Sequence, residues 1–293
     1  AQHHGIDPSH IIVGEGIDGL LAYLVRLLVE PGEPVVTSAG AYPTFNFHVT
    51  GFGGKLHTVP YVDDHEDPES LIAKATKVSA KIIYFANPDN PMGSWHSADV
   101  VNGLINNLPK STLLVLDEAY VDLAPAGTAP ALLPETPNVI RMRTFSKAYG
   151  MAGARVGYAI GPKKLIAAFD KVRNHFGMSH ISQVGALAAL SDQNYFERVL
   201  ENVQKSRQQI TDVARANGLK ALPSATNFVA IDCGQDGNFA RALLQRLIAD
   251  QIFVRMPNIS PLDRCIRVSC GDARAMEAFA HALPNALKAV RAT

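Results

Sequence analysis

The stretch RTFSKAYGMAGARVGY, Arg143 to Tyr158, sets Lys147 beside Ser146 and eight residues ahead of Arg155. A lysine in a loop of small residues is ordinarily a solvated charge. With a hydroxyl and a guanidinium so near, a second chemistry opens: a desolvated amine that forms a Schiff base with a carbonyl. An aldehyde carrying a phosphate would find in Ser146 and Arg155 the donors its oxygens need, because the planar fork of arginine suits phosphate. A second stretch, TLLVLDEAY, runs an apolar strand straight into Asp117. Alone, Asp117 reads equally well as a helix cap. Beside a pyridine ring it would hold the ring nitrogen protonated and so make the ring an electron sink, and Tyr120 could donate to the ring's phenolic oxygen.

A third stretch, GEGIDG from Gly14 to Gly19, fits the glycine pattern of a dinucleotide site. That site also needs an acid about twenty residues on, at the end of the next strand, to hold the ribose hydroxyls. Here the next strand ends in VVTSAG, without an acid. NAD is therefore not the expected ligand. The glycines still suit a phosphate, since a helix N-terminus offers free N–H groups and the positive end of its dipole.

These residues need a scaffold. Short apolar runs (VVTS, KLHTVPY, KIIYFAN, TLLVLDEAY, NVIRMRT, RVGYAI) alternate with amphipathic segments, which predicts an α/β fold with a mostly parallel central sheet and helices on both faces. In such a sheet ligands bind at the carboxyl ends of the strands. Asn87, Asn90, Asp117, Tyr120, Thr144, Ser146 and Lys147 all follow strands and should face one crevice. From about residue 162 to residue 218 the pattern turns to long helices. Beyond them ATNFVAID, QIFVRM and CIRVSC read as three strands of a smaller C-terminal α+β domain. The expected division is 1–195 for the large domain, including the start of the connecting helices, and 196–293 for the small one.

Composition bounds the partners. The 293 residues are 47% hydrophobic and carry 27 basic and 27 acidic side chains, which predicts a large core and gives no electrostatic footprint for nucleic acid or an anionic membrane. No apolar run is long enough to span a bilayer and the N-terminus has no leader-like pattern, so the cytoplasm is the expected location. Cys233, Cys265 and Cys270 lack metal-site or disulfide spacing and read as buried thiols. His3, His4 and His10 carry no metal spacing and read as solvated, so no metal is expected. His175 falls near the expected cleft and is a candidate substrate contact.

Taken together, ANPDNPMG, LDEAY and TFSKAYGMAGARVGY, in this order and spacing, resemble the class I/II aminotransferases of the pyridoxal phosphate (PLP) fold-type I superfamily, closest to the histidinol-phosphate aminotransferase group. The similarity spans essentially the whole chain. It implies PLP as cofactor, with Lys147 as the Schiff-base lysine and Asp117 opposite the pyridine nitrogen. It implies that Tyr120 and Asn90 hold the ring's O3′, that Tyr42 stacks on the ring, and that Gly16, Ile17, Asp18, Thr144, Ser146 and Arg155 form the phosphate cup. Arg267 matches the arginine that grips the substrate's anionic group, Arg255 is a second candidate, and Asn227 lines the same region. The implied activity is transfer of an amino group between an amino donor, histidinol-phosphate-like or aromatic, and a 2-oxo acid acceptor. A homodimer with the active site at its interface is implied as well. A lyase or decarboxylase would use the same lysine, and the sequence does not separate them. Three features depart from the pattern. Met92 replaces a threonine in N-P-x-N-P-T-G. Gly19 stands where the histidinol-phosphate branch commonly has an acid. The N-terminal arm of several dozen residues that relatives carry is expected to be absent, residue 1 lying near the first helix of the large domain.

Overall fold

The computed structural model describes residues 1–292. Its larger sheet has seven strands: β1 Ile11–Gly14, β2 Pro34–Ser38, β3 Lys55–Val59, β4 Ile82–Ala86, β5 Leu113–Asp117, β6 Val139–Thr144 and β7 Gly157–Ile160. They lie in the order β1-β7-β6-β5-β4-β2-β3. The block β3-β2-β4-β5-β6 is parallel, whereas β7 runs antiparallel to both β6 and β1. The expected mostly parallel sheet is therefore present, with one reversed strand near its edge. The reversal matters for the site. It brings the residues that precede β7, Arg155 among them, to the same end of the sheet as the residues that follow β1, β4, β5 and β6. β4 is buried at every position, as a strand covered on both faces must be.

Helices α1 Gly16–Leu28, α2 Pro43–Gly51, α3 Pro68–Val78 and α4 Ala98–Asn106 connect the strands. One face of the sheet packs on Leu20, Leu21, Leu24 and Val25 of α1 and on Phe45 of α2. The other packs on Leu71 and Ala75 of α3 and on Val101 and Leu104 of α4. Residues 163–216 form α5 Lys163–Ala168, α6 His180–Ser191 and the 24-residue α7 Gln193–Ala216. Near its start α7 packs Phe196, Leu200 and Val203 against Tyr120 and Leu123 of the large sheet's side. Near its end Ile210 and Ala214 join a separate core.

That second core lies between α7, α8 Gly237–Ala249, α9 Ala273–Arg291 and a three-stranded antiparallel sheet, β8 Lys220–Ala221, β9 Phe228–Asp232 and β10 Cys265–Ser269. Asp192, Asp236 and Asp272 cap α7, α8 and α9 by accepting backbone N–H bonds of the first turn. Here one expectation fails. QIFVRM is not a strand: Gln251 turns through a left-handed φ of 62° and Pro257 closes the run, so only Arg255 pairs, in a single bridge opposite Arg267. Lys220–Ala221 is the third strand instead. The expectation of solvated N-terminal histidines is also corrected. His10 is buried, its Nδ1 within 2.9 Å of the Gly161 carbonyl. His4 is half-buried with Nε2 3.0 Å from the Tyr158 hydroxyl, and only His3 is exposed. Both ring contacts arise because the N-terminal turns fold over the β1–β7 edge. Cys233 and Cys265 are buried thiols as expected, and Cys270 is half-buried.

Candidate active site

At the carboxyl end of the parallel strands lies a cavity of about 150 Å3, lined by Ile17, Asp18, Tyr42, Asn90, Asp117, Tyr120, Thr144, Ser146, Lys147 and Arg155 among others. Four strand ends and the start of α1 therefore deliver most of the residues named above to one place. Gly14 ends β1 and Gly16 opens α1 with φ +83°, where a side chain is strained. A Cβ on Gly16 would sit 2.3 Å from Arg155 Nη2. The glycine is thus what lets a guanidinium lie against a helix N-terminus. Arg155 Nη2 donates to the Glu15 carbonyl at 3.3 Å, and Nη1 lies 3.4 Å from Ser146 Oγ and 3.1 Å from the Ala152 carbonyl. Ser146 N donates to Thr144 Oγ1 at 3.0 Å. The result is a rim of cationic and hydroxyl donors at a helix N-terminus, with the Asp18 carboxylate 3.9 Å from Arg155 Nη2, a setting that suits an anion which takes over the guanidinium.

At the floor, Asp117 is 5% exposed. Its Oδ2 accepts from Tyr84 Oη at 2.6 Å and its Oδ1 from Ala119 N at 2.9 Å. No basic side chain forms an ion pair with it among the described residues. Burial pushes its carboxyl up to about 6, against the two hydrogen bonds and the attraction of Lys147, which pull the other way. Lys147 Nζ stands 4.9 Å from the centre of the Tyr120 ring, and Tyr120 meets Phe228 edge to face at 5.6 Å. Tyr42 Oη donates to Asp18 Oδ1 at 2.9 Å, and burial pushes its hydroxyl up to about 12.

The small domain does not line the cavity itself but reaches it through Asn90, one of the lining residues. Arg267 Nη1 donates to Asn90 Oδ1, and its guanidinium lies over the Phe228 ring at 4.7 Å. Burial lowers the Arg267 pKa, in keeping with a cation held away from water. Arg255 shares two backbone hydrogen bonds with Arg267, but its guanidinium lies out over the exposed Phe253 ring. Asn227 is half-buried and its carbonyl accepts from Cys270 N at 2.8 Å. Neither arginine forms an ion pair with an acid among the described residues.

Arg267, Arg255 and Asn227 are not among the residues that line the cavity, and two further expected residues lie elsewhere. His175 is exposed and lines a neighbouring groove with Glu15, Tyr23 and Arg173 rather than the cavity. Asn87 spends its amide on its own loop and on the segment after β5, donating to the His96 and Thr128 carbonyls and accepting from His96 N. Tyr84 is a residue that sequence reading overlooks. Its signal was available, since a tyrosine inside the wholly apolar strand KIIYFA must find a partner for its hydroxyl. Met92 is fully buried against Leu222, Leu262 and Cys265, so the thioether at the departed position packs the loop onto the small domain.

A family model described as aminotransferase class I and II matches residues 1–283. The chain is 31% identical to the histidinol-phosphate aminotransferase of Geobacillus sp. (strain WCH70) over 291 residues, which is 98% of this chain and 79% of the relative. It is 34% identical to that of Bacillus velezensis over 274 residues, 92% of this chain and 75% of the relative. The crystal structure of histidinol-phosphate aminotransferase from Sinorhizobium meliloti in complex with pyridoxal-5′-phosphate superposes with a TM-score of 0.98 at 54% identity, covering 99% of this chain and 80% of that one.

Proposed function

This chain belongs to the class I and II aminotransferases and is a PLP-dependent enzyme of that family, and we propose that its amino donor is histidinol phosphate or a close analogue, with a 2-oxo acid as acceptor. The observation that carries the reading is the convergence of Lys147, Asp117 and Arg155 on one cavity. A pyridoxal phosphate fits the groups present. The donor-rich rim at Gly16, Ser146 and Arg155 suits its phosphate, with Ile17, Asp18 and Thr144 completing the cup. The buried Asp117, without a cationic partner in the chain, suits a protonated ring nitrogen. Tyr42 offers a ring face, and Tyr120 and Asn90 offer polar groups for O3′. When bound, PLP supplies an electron sink for the carbanion at the donor's Cα and carries the amino group between half-reactions.

The chain's own part is to hold groups and move protons. Lys147 Nζ holds the cofactor at rest and, once freed, takes the proton from the donor's Cα as general base and returns it as general acid. Asp117 must be ionised to stabilise the ring proton. A cation placed against it draws its pKa down from the value that burial imposes. Tyr84 orients that carboxylate. Arg267, bonded to the cavity-lining Asn90, meets the donor's anionic end, with Asn227 as a further contact and Arg255, whose guanidinium lies out over Phe253, as the second candidate.

We further propose a cytoplasmic homodimer that completes the site. The support is α6, where Ile181 and Leu187 are 84% and 67% exposed and only Ala186 is buried. Such an apolar surface is ordinarily covered by a partner. For the domain division we keep 1–195 and 196–293, which falls near the start of α7.

The reading is tested by a panel of donors, histidinol phosphate and aromatic amino acids included, scored by conversion of the PLP absorbance band to the pyridoxamine form. Histidinol phosphate should convert fastest, and Arg267→Ala should raise its KM by roughly ten- to a hundredfold, the worth of a charge-assisted contact. Conversion by no donor, or equal conversion with and without Arg267, would overturn the assignment.

A further inference from the structure

Behind the cavity lies a second group of buried acids that the transfer chemistry does not use. Asp89, in the turn after β4, is 2% exposed. Its Oδ1 accepts from Tyr61 Oη at 2.8 Å and its Oδ2 from Met92 N at 2.9 Å. Both donors are neutral. Its neighbour in sequence, Asn90, is the residue whose amide oxygen takes Arg267 Nη1. Arg267 is also the cation whose field reaches Asp89. The turn therefore holds the arginine through Asn90 and carries, at the adjacent position, a buried acid within reach of the arginine's field.

We propose that Asp89 is a positioning residue for the substrate's anionic end: acting through Asn90 and through the field it shares with Arg267, its carboxylate loosens the arginine's grip when ionised and strengthens it when protonated. The inference rests on the assignment of Arg267 as the anion-gripping residue.

The groups around Asp89 leave the balance to it. Tyr61, from the segment after β3, is a neutral hydroxyl that burial holds well above the usual tyrosine range. Glu66, ahead of α3, accepts from Ser38 Oγ and Ala86 N, and burial holds its carboxyl well above the usual carboxylate range. After burial, the field of Asp89 itself raises the pKa of both Glu66 and Tyr61, with a smaller push on Glu66 from Asp117 and on Tyr61 from Glu66 and Tyr84. His96 faces the Glu66 carbonyl, and burial lowers its pKa. Arg255 is bridged to Arg267 through the backbone. Burial pushes Asp89 itself up to about 7, against the hydrogen bonds from Met92 and Tyr61. An anion arriving at Arg267 makes an ionised Asp89 costlier, so binding takes up a proton. By linkage, anion affinity then falls as pH rises through about 7.

The test uses sulfate, an anion that keeps its charge over this range, as a competitive inhibitor of the PLP-loaded enzyme, whose phosphate cup is filled. Sulfate-dependent thermal midpoints of the same protein give a second readout. Between about pH 6 and pH 8 the wild-type inhibition constant should rise roughly three- to tenfold, the size of one screened charge interaction. Asp89→Asn should lose that rise. Tyr61→Phe keeps the ring and removes a donor that favours the charged form, so the midpoint of the rise should move to higher pH. A purely structural role would leave the midpoint in place. A wild type without pH dependence, an Asp89→Asn enzyme that retains it, or an unmoved midpoint in Tyr61→Phe overturns the proposal. Sulfate inhibition of Arg267→Ala as strong as in wild type would instead overturn the arginine's own assignment.

Discussion

Asp117 and Glu118 are consecutive, both buried, and treated in opposite ways. The pleat of β5 turns them to opposite faces of the sheet. Glu118 meets Arg141, whose Nε and Nη2 donate at 3.0 and 2.5 Å, and Arg143, whose Nε donates at 2.9 Å. Its charge is neutralised by the chain itself. Asp117, one residue earlier, has only a tyrosine hydroxyl and a backbone N–H, and burial raises its pKa. A charge of the first kind locks two strands together, while a carboxyl of the second kind is left to be satisfied by a cation that the chain does not contain. That difference separates an acid satisfied by cations of the chain from one that is not.

The comparison is sharpest in activity. Asp117→Asn should keep the fold and still take up PLP, but lose turnover by roughly a thousandfold or more, because a neutral amide cannot hold the ring proton. Single-turnover half-reaction rates decide it, and rates near wild type would remove the distinction. The matching change, Glu118→Gln, strands two buried guanidiniums and should cost about 3–5 kcal/mol of stability, read as a drop in urea midpoint. A midpoint close to wild type would mean that Glu118 is no more structural than its neighbour.

Smaller effects refine the picture. Gly16→Ala would push a Cβ against Arg155 Nη2, and because that guanidinium is a mobile end, the fold should survive while the anion rim opens. PLP affinity should fall roughly ten- to a hundredfold in equilibrium titration, and the strain of a side chain at φ +83° should also lower the melting midpoint of the cofactor-free protein, by the equivalent of about 1 kcal/mol or more. The smallest effect is again at Asp117. Its folded pKa, about 6, lies above the ordinary aspartate value of 3.8, so the unfolded chain releases this proton first and the group's contribution falls as pH rises between those values. The cofactor-free Asp117→Asn protein should therefore be more stable than wild type at pH 8, by about 1–2 kcal/mol, with the gap closing below about pH 4. The opposite sign in thermal melts would show that Asp117 is already satisfied without the cofactor.

The cofactor side of the cavity was legible because its residues sit in short motifs at strand ends, and the geometry of a parallel sheet carries strand ends to one crevice. TLLVLDEAY announces both strand and acid, and GEGIDG announces the turn into α1. The substrate side was harder to read. Arg267 could be named, but its bond to Asn90 joins residues 177 positions apart, and QIFVRM had the composition of a strand without becoming one. Tyr61 and Glu66 gave no periodic or motif signal, and Asp89 fell at the variable position of ANPDNPMG, since what joins the three is a shared buried space.

The order of motifs along the chain was enough to indicate the family and to name Lys147, Asp117 and Gly16 as candidates, because each lies in a motif set by local backbone geometry or by adjacency within a few residues; that Gly16 makes room for Arg155 appears only in the tertiary structure. Tertiary structure alone decided which charges are neutralised and which are left for a ligand. Desolvation and Coulomb interactions act through space, and whether Asp117, Asp89 or Glu118 meets a cation depends on strands and turns that are distant in sequence.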